Sequence, residues 1–259
     1  MMQNLTLNFR NKIPVHYRFS PAKRDCRHLL IIMSGFNIPD PTIYDFNMME
    51  HCHSAILWIK DDFYNLPAYY LCHEMNFEIE QGVSLLINGT IDFVKPDNVT
   101  IMGGSKGGSM SLYYGLKHKI NNIITVVPQF NIGSYVAQGY WEHVGKSMMG
   151  DVTKQKTKLL DLLIINQLIK DKNKKANIYL FTSPDDKQYV TEIEPNLPHL
   201  REYKNFNLIE TYSSFATEHN KITAYNINVI LSIVYQLENN ITPVFGHIRN
   251  GDKWASEKE

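Results

Sequence analysis

The segment at residues 99–116, VTIMGGSKGGSMSLYYGL, places the strongest constraint on how this chain folds. It begins with a short apolar and β-branched run, passes through a turn in which four glycines surround Ser105 and Lys106, and continues as an apolar segment of helical character. Glycine lacks a Cβ atom, so the cluster indicates a close approach between a strand and the helix that follows it. A strand leading directly into a helix is the basic unit of an α/β fold.

Three interpretations of this turn imply different chemistry. A phosphate-binding loop requires G-x-x-x-x-G-K-[ST], but Lys106 precedes Gly107 and Gly108, and the dinucleotide pattern G-x-G-x-x-G occurs at no register of the four glycines. Gly103-x-Ser105-x-Gly107 does match G-x-S-x-G, which is typical of a nucleophilic serine on a sharp strand-to-helix turn. The context therefore favours a nucleophile over a plain tight turn. The start of the helix would also stabilise negative charge that develops beside the serine.

Strands and helices alternate along most of the chain. The segments LTLNF and VHYRF predict an antiparallel pair at one edge of a sheet. Apolar runs predict further strands at residues 28–33, 54–59, 99–102, 123–127, 177–181 and 207–212. Periodic segments predict helices at residues 74–94, 106–117 and 221–237. This pattern predicts one α/β domain over residues 1–259, with a mostly parallel central sheet and helices on both faces.

One region interrupts the alternation. The segment LLDLLIINQLI can form the helix that connects two parallel strands, so GSYVAQGYWEHVGKSMMGD, which precedes it, is additional. We interpret residues 130–172 as a small helical cap insertion over the carboxyl ends of the strands. The alternative is an ordinary helical elaboration of the core. Tyr135, Tyr140 and Trp141 suit a sugar-stacking face and the core of a cap equally well.

Composition narrows the class of protein. The 259 residues include 26 basic and 26 acidic side chains, so the formal net charge is zero. There is no excess of basic residues that would favour nucleic acid as a partner. No apolar run approaches the ~18 residues of a membrane span, and the N-terminal residues lack the apolar region of a signal peptide. Cys26, Cys52 and Cys72 are too few and too scattered for a disulfide framework, which predicts a soluble, cytoplasmic protein. The segment His51-Cys52-His53 lacks metal-site spacing, so we expect no metal. We also expect no permanently bound cofactor.

A nucleophilic serine needs a base and an acid, which in this fold follow it in the order acid, then histidine, each after a strand. The strand at residues 177–181 leads into Asp185 and Asp186. His219 is the one histidine, of ten, that lies between a late strand and the last helix. We therefore predict a catalytic triad of Ser105, His219 and one of the two aspartates.

Stabilisation of the oxyanion requires two N–H donors. One is expected from Lys106, the residue after the nucleophile. The other is expected from the loop after the early buried strand, Ser34-Gly35-Phe36-Asn37, where Gly35 allows the backbone to turn and the Phe36 N–H is the preferred donor. A simple tight turn is the alternative for this loop.

These motifs resemble those of a known superfamily. GGSKGG, IITVVPQFNIGSYV, SPDDK and EHN resemble serine α/β-hydrolases, and within them bacterial capsular polysaccharide O-acetyltransferases and, more distantly, the acetyltransferase-like component of accessory secretion systems. The resemblance implies the α/β-hydrolase fold and, since the equivalent acid is the second of an acidic pair, Asp186 as the triad acid. It also implies acetyl-CoA as co-substrate and a sugar hydroxyl of a capsule or surface polysaccharide as acceptor.

The chemistry of the triad predicts acyl transfer through an acyl-serine without naming the acceptor. A carboxylesterase of small esters is the alternative with the same triad. A catalytically inactive hydrolase fold that binds a partner is disfavoured by the presence of all three residues. If the donor is acetyl-CoA, the Lys106 side chain is available for a phosphate of the donor or for an anionic glycan; a solvent-facing lysine is the alternative.

Overall fold

The computed structural model describes residues 3–10, 12–36 and 44–253. Asn37, in the loop expected to help form the oxyanion hole, lies outside the described residues. The strands are β1 (Gln3–Phe9), β2 (Ile13–Ser20), β3 (His28–Met33), β4 (Ala55–Ile59), β5 (Asn98–Gly104), β6 (Asn122–Val126), β7 (Asn177–Thr182), β8 (Asn205–Thr211) and β9 (His247–Asn250).

Within these ranges the nine strands form one sheet in the order β1-β2-β4-β3-β5-β6-β7-β8-β9. The pairs β1·β2 and β2·β4 are antiparallel, and every other neighbouring pair is parallel. The mostly parallel sheet with an antiparallel edge is therefore confirmed. Because the strands β3 to β8 run the same way, their carboxyl ends bring distant loops to one edge of the sheet.

The helices of the described residues are α1 (Glu78–Val94), α2 (Lys106–Lys117), α3 (Ile132–Val136), α4 (Glu142–Met149), α5 (Lys154–Lys170), α6 (Leu197–Leu200), α7 (His219–Tyr225) and α8 (Ile227–Glu238). None of them is both long and apolar enough to cross a membrane. Short 3₁₀ turns lie at Asn47–His51, Gly139–Trp141 and Glu194–Asn196, and a π-helical turn lies at Tyr189–Ile193.

Two apolar layers cover the sheet. Along β3, Leu29 and Ile31 belong to an apolar cluster that includes residues of α1, α2 and α5, whereas Leu30 and Ile32 belong to a second cluster that includes residues of α8, since successive side chains of a strand point to opposite faces. All six residues of β3 are buried, which explains its continuous apolar sequence. Each such aliphatic side chain contributes ~2 kcal/mol by leaving water.

Three local features differ from the sequence expectation. The helix expected from residue 74 begins at Glu78, because Glu74 and Met75 have positive φ angles and donate their N–H groups to Ser147 and Met148. The final helix is interrupted at Asn226, whose side-chain amide donates to Thr211 Oγ1 (2.7 Å). Strand β9 was not predicted; it is short and polar and extends the sheet beside β8.

Candidate active site

Ser105 lies between the last residue of β5 and the first residue of α2. Its φ of 52° and ψ of −122° belong to a strained conformation for a residue with a side chain. The turn is held by two backbone hydrogen bonds: the Ser105 N–H donates to the Val126 carbonyl (2.8 Å), and the Ser109 N–H donates to the Ser105 carbonyl (2.9 Å). The serine is therefore kept in this geometry by the strand next to it and by the helix after it.

The glycines around Ser105 are required by close backbone contacts. A Cβ atom on Gly103 would lie 2.3 Å from the carbonyl of Gly107, within the same turn. A Cβ atom on Gly107 would lie 2.2 Å from the carbonyl oxygen of Met33, at the end of β3. The start of α2 is thus pressed against the carboxyl ends of two strands, as the glycine cluster in the sequence indicates.

The structure brings Ser105, His219 and Asp186 into one chain of hydrogen bonds. His219 Nε2 lies 2.9 Å from Ser105 Oγ, and His219 Nδ1 lies 2.7 Å from Asp186 Oδ2. His219 is the first residue of α7, and Asp186 follows β7. The Asp186 carboxylate is buried and also accepts a bond from the Gln188 N–H (3.0 Å). A nucleophile, a base and an acid are therefore aligned across three loops.

The two neighbouring aspartates have different surroundings. Asp185 is exposed, and its carboxylate pairs with Lys253 Nζ (2.9 Å) rather than with the imidazole. Asp186 is the residue in contact with His219. The geometry thus agrees with the acid that the family resemblance implies.

The expected oxyanion donors lie in two loops that meet near Ser105. Lys106 is the first residue of α2, so its N–H has no acceptor one turn earlier in the helix. The Gly35 N–H, in contrast, donates to Asp45 Oδ2 (2.6 Å) and is occupied. Gly35 therefore serves the loop by allowing its close approach to Gly104, and the amides of Phe36 and Lys106 remain as candidate donors.

The Lys106 side chain does not face solvent or the cleft, so both expectations for it were wrong. It is fully buried, and its Nζ atom lies 2.6 Å from Asp61 Oδ2 and 4.5 Å from the centre of the Tyr70 ring. Burial lowers the pKa of Lys106, whereas the charge of Asp61 acts in the opposite direction.

The same buried network reaches the loop at Ser34. Asp61 Oδ1 accepts bonds from the N–H groups of Ala68 (3.0 Å) and Tyr70 (2.9 Å). The Tyr70 hydroxyl in turn accepts a bond from the Ser34 N–H (2.6 Å). Polar contacts therefore connect the turn that carries Ser105 to the loop that carries Phe36.

Gln129, which follows β6, lies at the site although the sequence reasoning gave it no role. Its Nε2 atom is 2.9 Å from Ser105 Oγ and 3.2 Å from His219 Nε2. Two signals in the sequence pointed to it. Gln129 belongs to IITVVPQFNIGSYV, one of the segments that carry the family resemblance, and, like Asp186 and His219, it is a polar residue just beyond the carboxyl end of a parallel strand.

A cleft of about 650 Å³ opens onto Ser105 and His219. Phe36, Tyr135 and Trp141 form an aromatic part of its wall, and the Phe36 and Trp141 rings stack with centroids 4.0 Å apart and planes at 18°. Tyr140 is 77% exposed and does not line the cleft. Two of the three aromatic residues from α3 and the adjacent 3₁₀ turn thus face the candidate nucleophile.

Metal-ligating side chains do not cluster in the part of the chain that the structure describes: it contains no group of three or more His, Cys, Asp or Glu suited to a metal ion. In the segment His51-Cys52-His53, Cys52 is buried and His53 Nδ1 lies 3.7 Å from Glu238 Oε1.

No protein-family model matches the chain, and no curated protein matches it. Solved structures, in contrast, do resemble the structure of this chain. The Glycosylation Associate Protein (Gap123) complex from Streptococcus agalactiae superimposes with a TM-score of 0.71 at 18% identity over 95% of this chain, which spans about half (47%) of that chain. The capsule O-acetyltransferase of Neisseria meningitidis serogroup A gives 0.68 at 19% identity, covering 89% of this chain and 93% of that one, and a mutant of it has been solved in complex with CoA.

A third structure represents hydrolases. FphF, a fluorophosphonate-binding serine hydrolase of Staphylococcus aureus, gives a TM-score of 0.64 at 11% identity, covering 91% of this chain and 98% of that one. Sequence identities this low support a shared fold, but they do not show that the proteins catalyse the same reaction. The sheet order, the helices on both faces and these likenesses together show that the chain has the α/β-hydrolase fold.

Proposed function

We propose that this protein is an acyltransferase that works through an acyl-serine on Ser105, and that it O-acetylates a bacterial capsule or surface polysaccharide from acetyl-CoA. The observation that carries the proposal is the chain of contacts from Ser105 Oγ to His219 (2.9 Å) and from His219 to Asp186 (2.7 Å). These distances are those of a serine activated by a histidine that an acid orients.

In the first half-reaction, Ser105 Oγ attacks the thioester carbonyl of the donor while His219 Nε2 takes its proton. The proton on His219 Nδ1 stays in the bond to Asp186, which stabilises the imidazolium. When the tetrahedral intermediate collapses, the carbon–sulfur bond breaks and His219 protonates the leaving thiolate. The products are free CoA and acetyl-Ser105.

The negative charge of each tetrahedral intermediate falls on the former carbonyl oxygen. The N–H groups of Phe36 and Lys106 are the donors we assign to it, and α2 directs its N-terminus to the same place. In the second half-reaction a sugar hydroxyl attacks the acetyl carbon, its proton moves to His219, and Ser105 Oγ recovers a proton as it leaves.

The surroundings of the cleft support an acyl donor with an extended uncharged arm. Its described lining includes the carboxylate of Asp45 but no lysine or arginine. We therefore place the pantetheine arm of acetyl-CoA in the cleft and the phosphates of the donor outside it. The CoA complex of the meningococcal O-acetyltransferase supports this choice of donor.

Residues 130–172 are proposed to act as the cap of a single domain that spans residues 1–259. In support, α3 and the 3₁₀ turn Gly139–Trp141 contribute Tyr135 and Trp141 to the wall of the cleft. A wall of this kind limits access of water to an acyl-serine. The three cysteines are free, which supports the cytoplasmic location that we propose.

Hydrolysis of small esters is the second candidate, favoured by the likeness to FphF and by the same three residues. Purified protein is incubated with acetyl-CoA, with and without de-O-acetylated capsular polysaccharide, and with p-nitrophenyl acetate. Release of CoA that depends on polysaccharide, with new O-acetyl signals on the polysaccharide by NMR, supports transfer. Rapid p-nitrophenyl acetate hydrolysis with no use of acetyl-CoA rejects transfer and leaves the esterase.

A further inference from the structure

Among the described residues that line the cleft onto Ser105, Asp45 contributes the one carboxylate. Asp45 is partly exposed, and its Oδ2 atom accepts a hydrogen bond from the Gly35 N–H (2.6 Å). A Cβ atom on Gly35 would lie 3.3 Å from Asp45 Oδ2 and 3.3 Å from the carbonyl oxygen of Gly104. The carboxylate is therefore fixed close to the residue that precedes Ser105.

The other carboxylate oxygen, Asp45 Oδ1, accepts no hydrogen bond from the part of the chain that the structure describes. The Lys106 ammonium acts on Asp45 by its charge, but it lies 2.6 Å from Asp61 Oδ2 and is paired there. Burial raises the pKa of Asp45, whereas the Gly35 N–H and Lys106 act in the opposite direction. A carboxylate partly withdrawn from water, with one free oxygen, is stabilised by a ligand that donates a hydrogen bond to it.

The cleft is much larger than the acyl group that Ser105 would carry. Its volume is about 650 Å³, whereas an acetyl group is only the size of a small side chain. Most of the cleft must therefore hold the group on the other side of the acyl carbon, which is the thiol arm that leaves or the sugar that accepts. Both groups occupy that same side in turn, because attack by the acceptor is the reverse of an acylation step.

The rest of the lining is suited to an uncharged group. Asn220 and Thr223 add polar side chains, Phe36 and Trp141 add stacked rings, and the described lining holds no lysine or arginine. An anionic group would therefore meet the charge of Asp45 with no cation to offset it. An uncharged group that carries O–H or N–H donors can instead donate to Asp45 and pack its carbon atoms against the rings.

We propose that Asp45 determines specificity at this site: its free oxygen accepts a hydrogen bond from an uncharged leaving or accepting group, and its charge excludes anionic groups. The inference rests on the proposed function, because it requires acyl transfer at Ser105. It narrows the acceptor to a sugar unit that has no carboxylate or phosphate next to the acylated hydroxyl group. The pantetheine arm of the donor meets the same requirement, since it is uncharged and carries amide and hydroxyl donors.

The test uses two acetate esters of the same shape. 4-Acetoxybenzamide has an uncharged leaving group with N–H donors, whereas the leaving group of 4-acetoxybenzoate is anionic at about pH 8. Both esters give the same acetyl-Ser105, so the ratio of their kcat/KM values reports on the side of the cleft that holds the leaving group. The ratio does not depend on the fraction of folded enzyme. Rates measured with Ser105→Ala are subtracted as background.

The test compares wild type with Asp45→Asn and Asp97→Asn. Asparagine removes the charge of Asp45 and keeps an oxygen atom that can accept from the Gly35 N–H. Asp97→Asn is the matched control, because it makes the same change in net charge at the residue before β5, where Asp97 pairs with Arg27. Asp45→Ser, which also removes the charge, serves if the asparagine variant is insoluble.

A further measurement separates the two groups that Asp45 could hold. S-acetylpantetheine carries the uncharged arm of the donor, and phenyl acetate carries an uncharged leaving group without donors. A lower kcat/KM of Asp45→Asn for S-acetylpantetheine relative to phenyl acetate assigns the free oxygen to the donor arm. An unchanged value, together with a lower ratio for the two benzoyl esters, assigns it to the acceptor.

We expect wild type to prefer the benzamide ester, and Asp45→Asn to lower the ratio of benzamide to benzoate kcat/KM about tenfold. Asp97→Asn should stay within about twofold of wild type. A wild-type ratio in Asp45→Asn, or a wild-type enzyme that prefers the benzoate ester, overturns the inference and leaves the proposed function intact. If wild type releases no phenol that depends on Ser105, the proposed function fails and this inference fails with it.

Discussion

Lys106 Nζ and Asp61 Oδ2 lie 2.6 Å apart with both side chains buried, and Lys106 is the residue directly after Ser105. The ion pair fixes the position of an amide that we assign to the oxyanion, while the amide itself remains available. The Lys106 side chain therefore acts by holding the backbone of this residue in place next to Ser105.

Asp61→Asn should destabilise the protein by ~3–5 kcal/mol, because the Lys106 ammonium is then buried without its carboxylate. Urea denaturation measures the loss. Asp97→Asn is the control, since Asp97 pairs with Arg27 at the surface (2.9 Å) and its loss should cost below ~1 kcal/mol. Equal losses in the two variants would contradict a structural role for the buried pair.

Asp186→Asn should reduce the acyl-transfer turnover by ~10⁴, because the imidazole loses both its orientation and its charge partner. Asp185→Asn is the matched variant, since Asp185 pairs with exposed Lys253 and should change turnover little. Turnover is measured as p-nitrophenol release at saturating p-nitrophenyl acetate. A large loss in Asp185→Asn with a near-normal Asp186→Asn would reverse the assignment.

Replacing Ser105 should separate catalysis from backbone strain. Ser105→Ala and Ser105→Gly should both lose turnover by ~10⁶, because the nucleophile is absent. The glycine variant should be more stable than the alanine variant by ~1 kcal/mol, because the φ of 52° and ψ of −122° suit glycine. Thermal unfolding compares the two. An alanine variant as stable as the glycine variant would mean that the turn stores no strain.

The unfolding free energy should decrease as pH falls from about 6.5 to 4. Burial lowers the pKa of His28, at the start of β3, to about 4, and its ring nitrogens contact Ser54 Oγ and Thr100 Oγ1 at 2.8 Å each. The unfolded chain binds the proton at higher pH than the folded protein, so this contribution is full above ~6.5 and is lost on acidification, by at most ~3 kcal/mol.

His28→Gln removes the titrating ring and should flatten this part of the stability curve, although its stability at neutral pH is lower. His51→Gln is the control, because the His51 side chain is solvated in both states. Urea denaturation at several pH values checks both. A His28→Gln curve as steep as that of wild type would show that other groups cause the acid sensitivity.

The sequence was informative wherever a local pattern determines a local structure. The β3 strand was predicted with its observed bounds because both of its faces are covered, and the Gly103–Ser105–Gly107 turn was predicted because only glycine fits the contacts there. The positions of Asp186 and His219 followed from a rule about the carboxyl ends of parallel strands.

Contacts between distant segments were not predictable in the same way. Asp61 and Lys106 meet across the sheet edge, and nothing near Lys106 in the sequence distinguishes it from the exposed lysines that are the rule. Gln129 lies in IITVVPQFNIGSYV, but nothing in that segment assigns it a contact with Ser105 or His219, and β9 is too short and polar for its pattern to indicate a strand.

Acylation of Ser105 is the step on which the proposed function depends. Wild type, Ser105→Ala and His219→Ala are incubated with acetyl-CoA without an acceptor, quenched in acid, digested and analysed by mass spectrometry. We expect one added acetyl group on the wild-type peptide that contains Ser105, and none on that peptide in either variant. An unmodified Ser105 peptide in wild type, or an equal acetyl signal in Ser105→Ala, would contradict it.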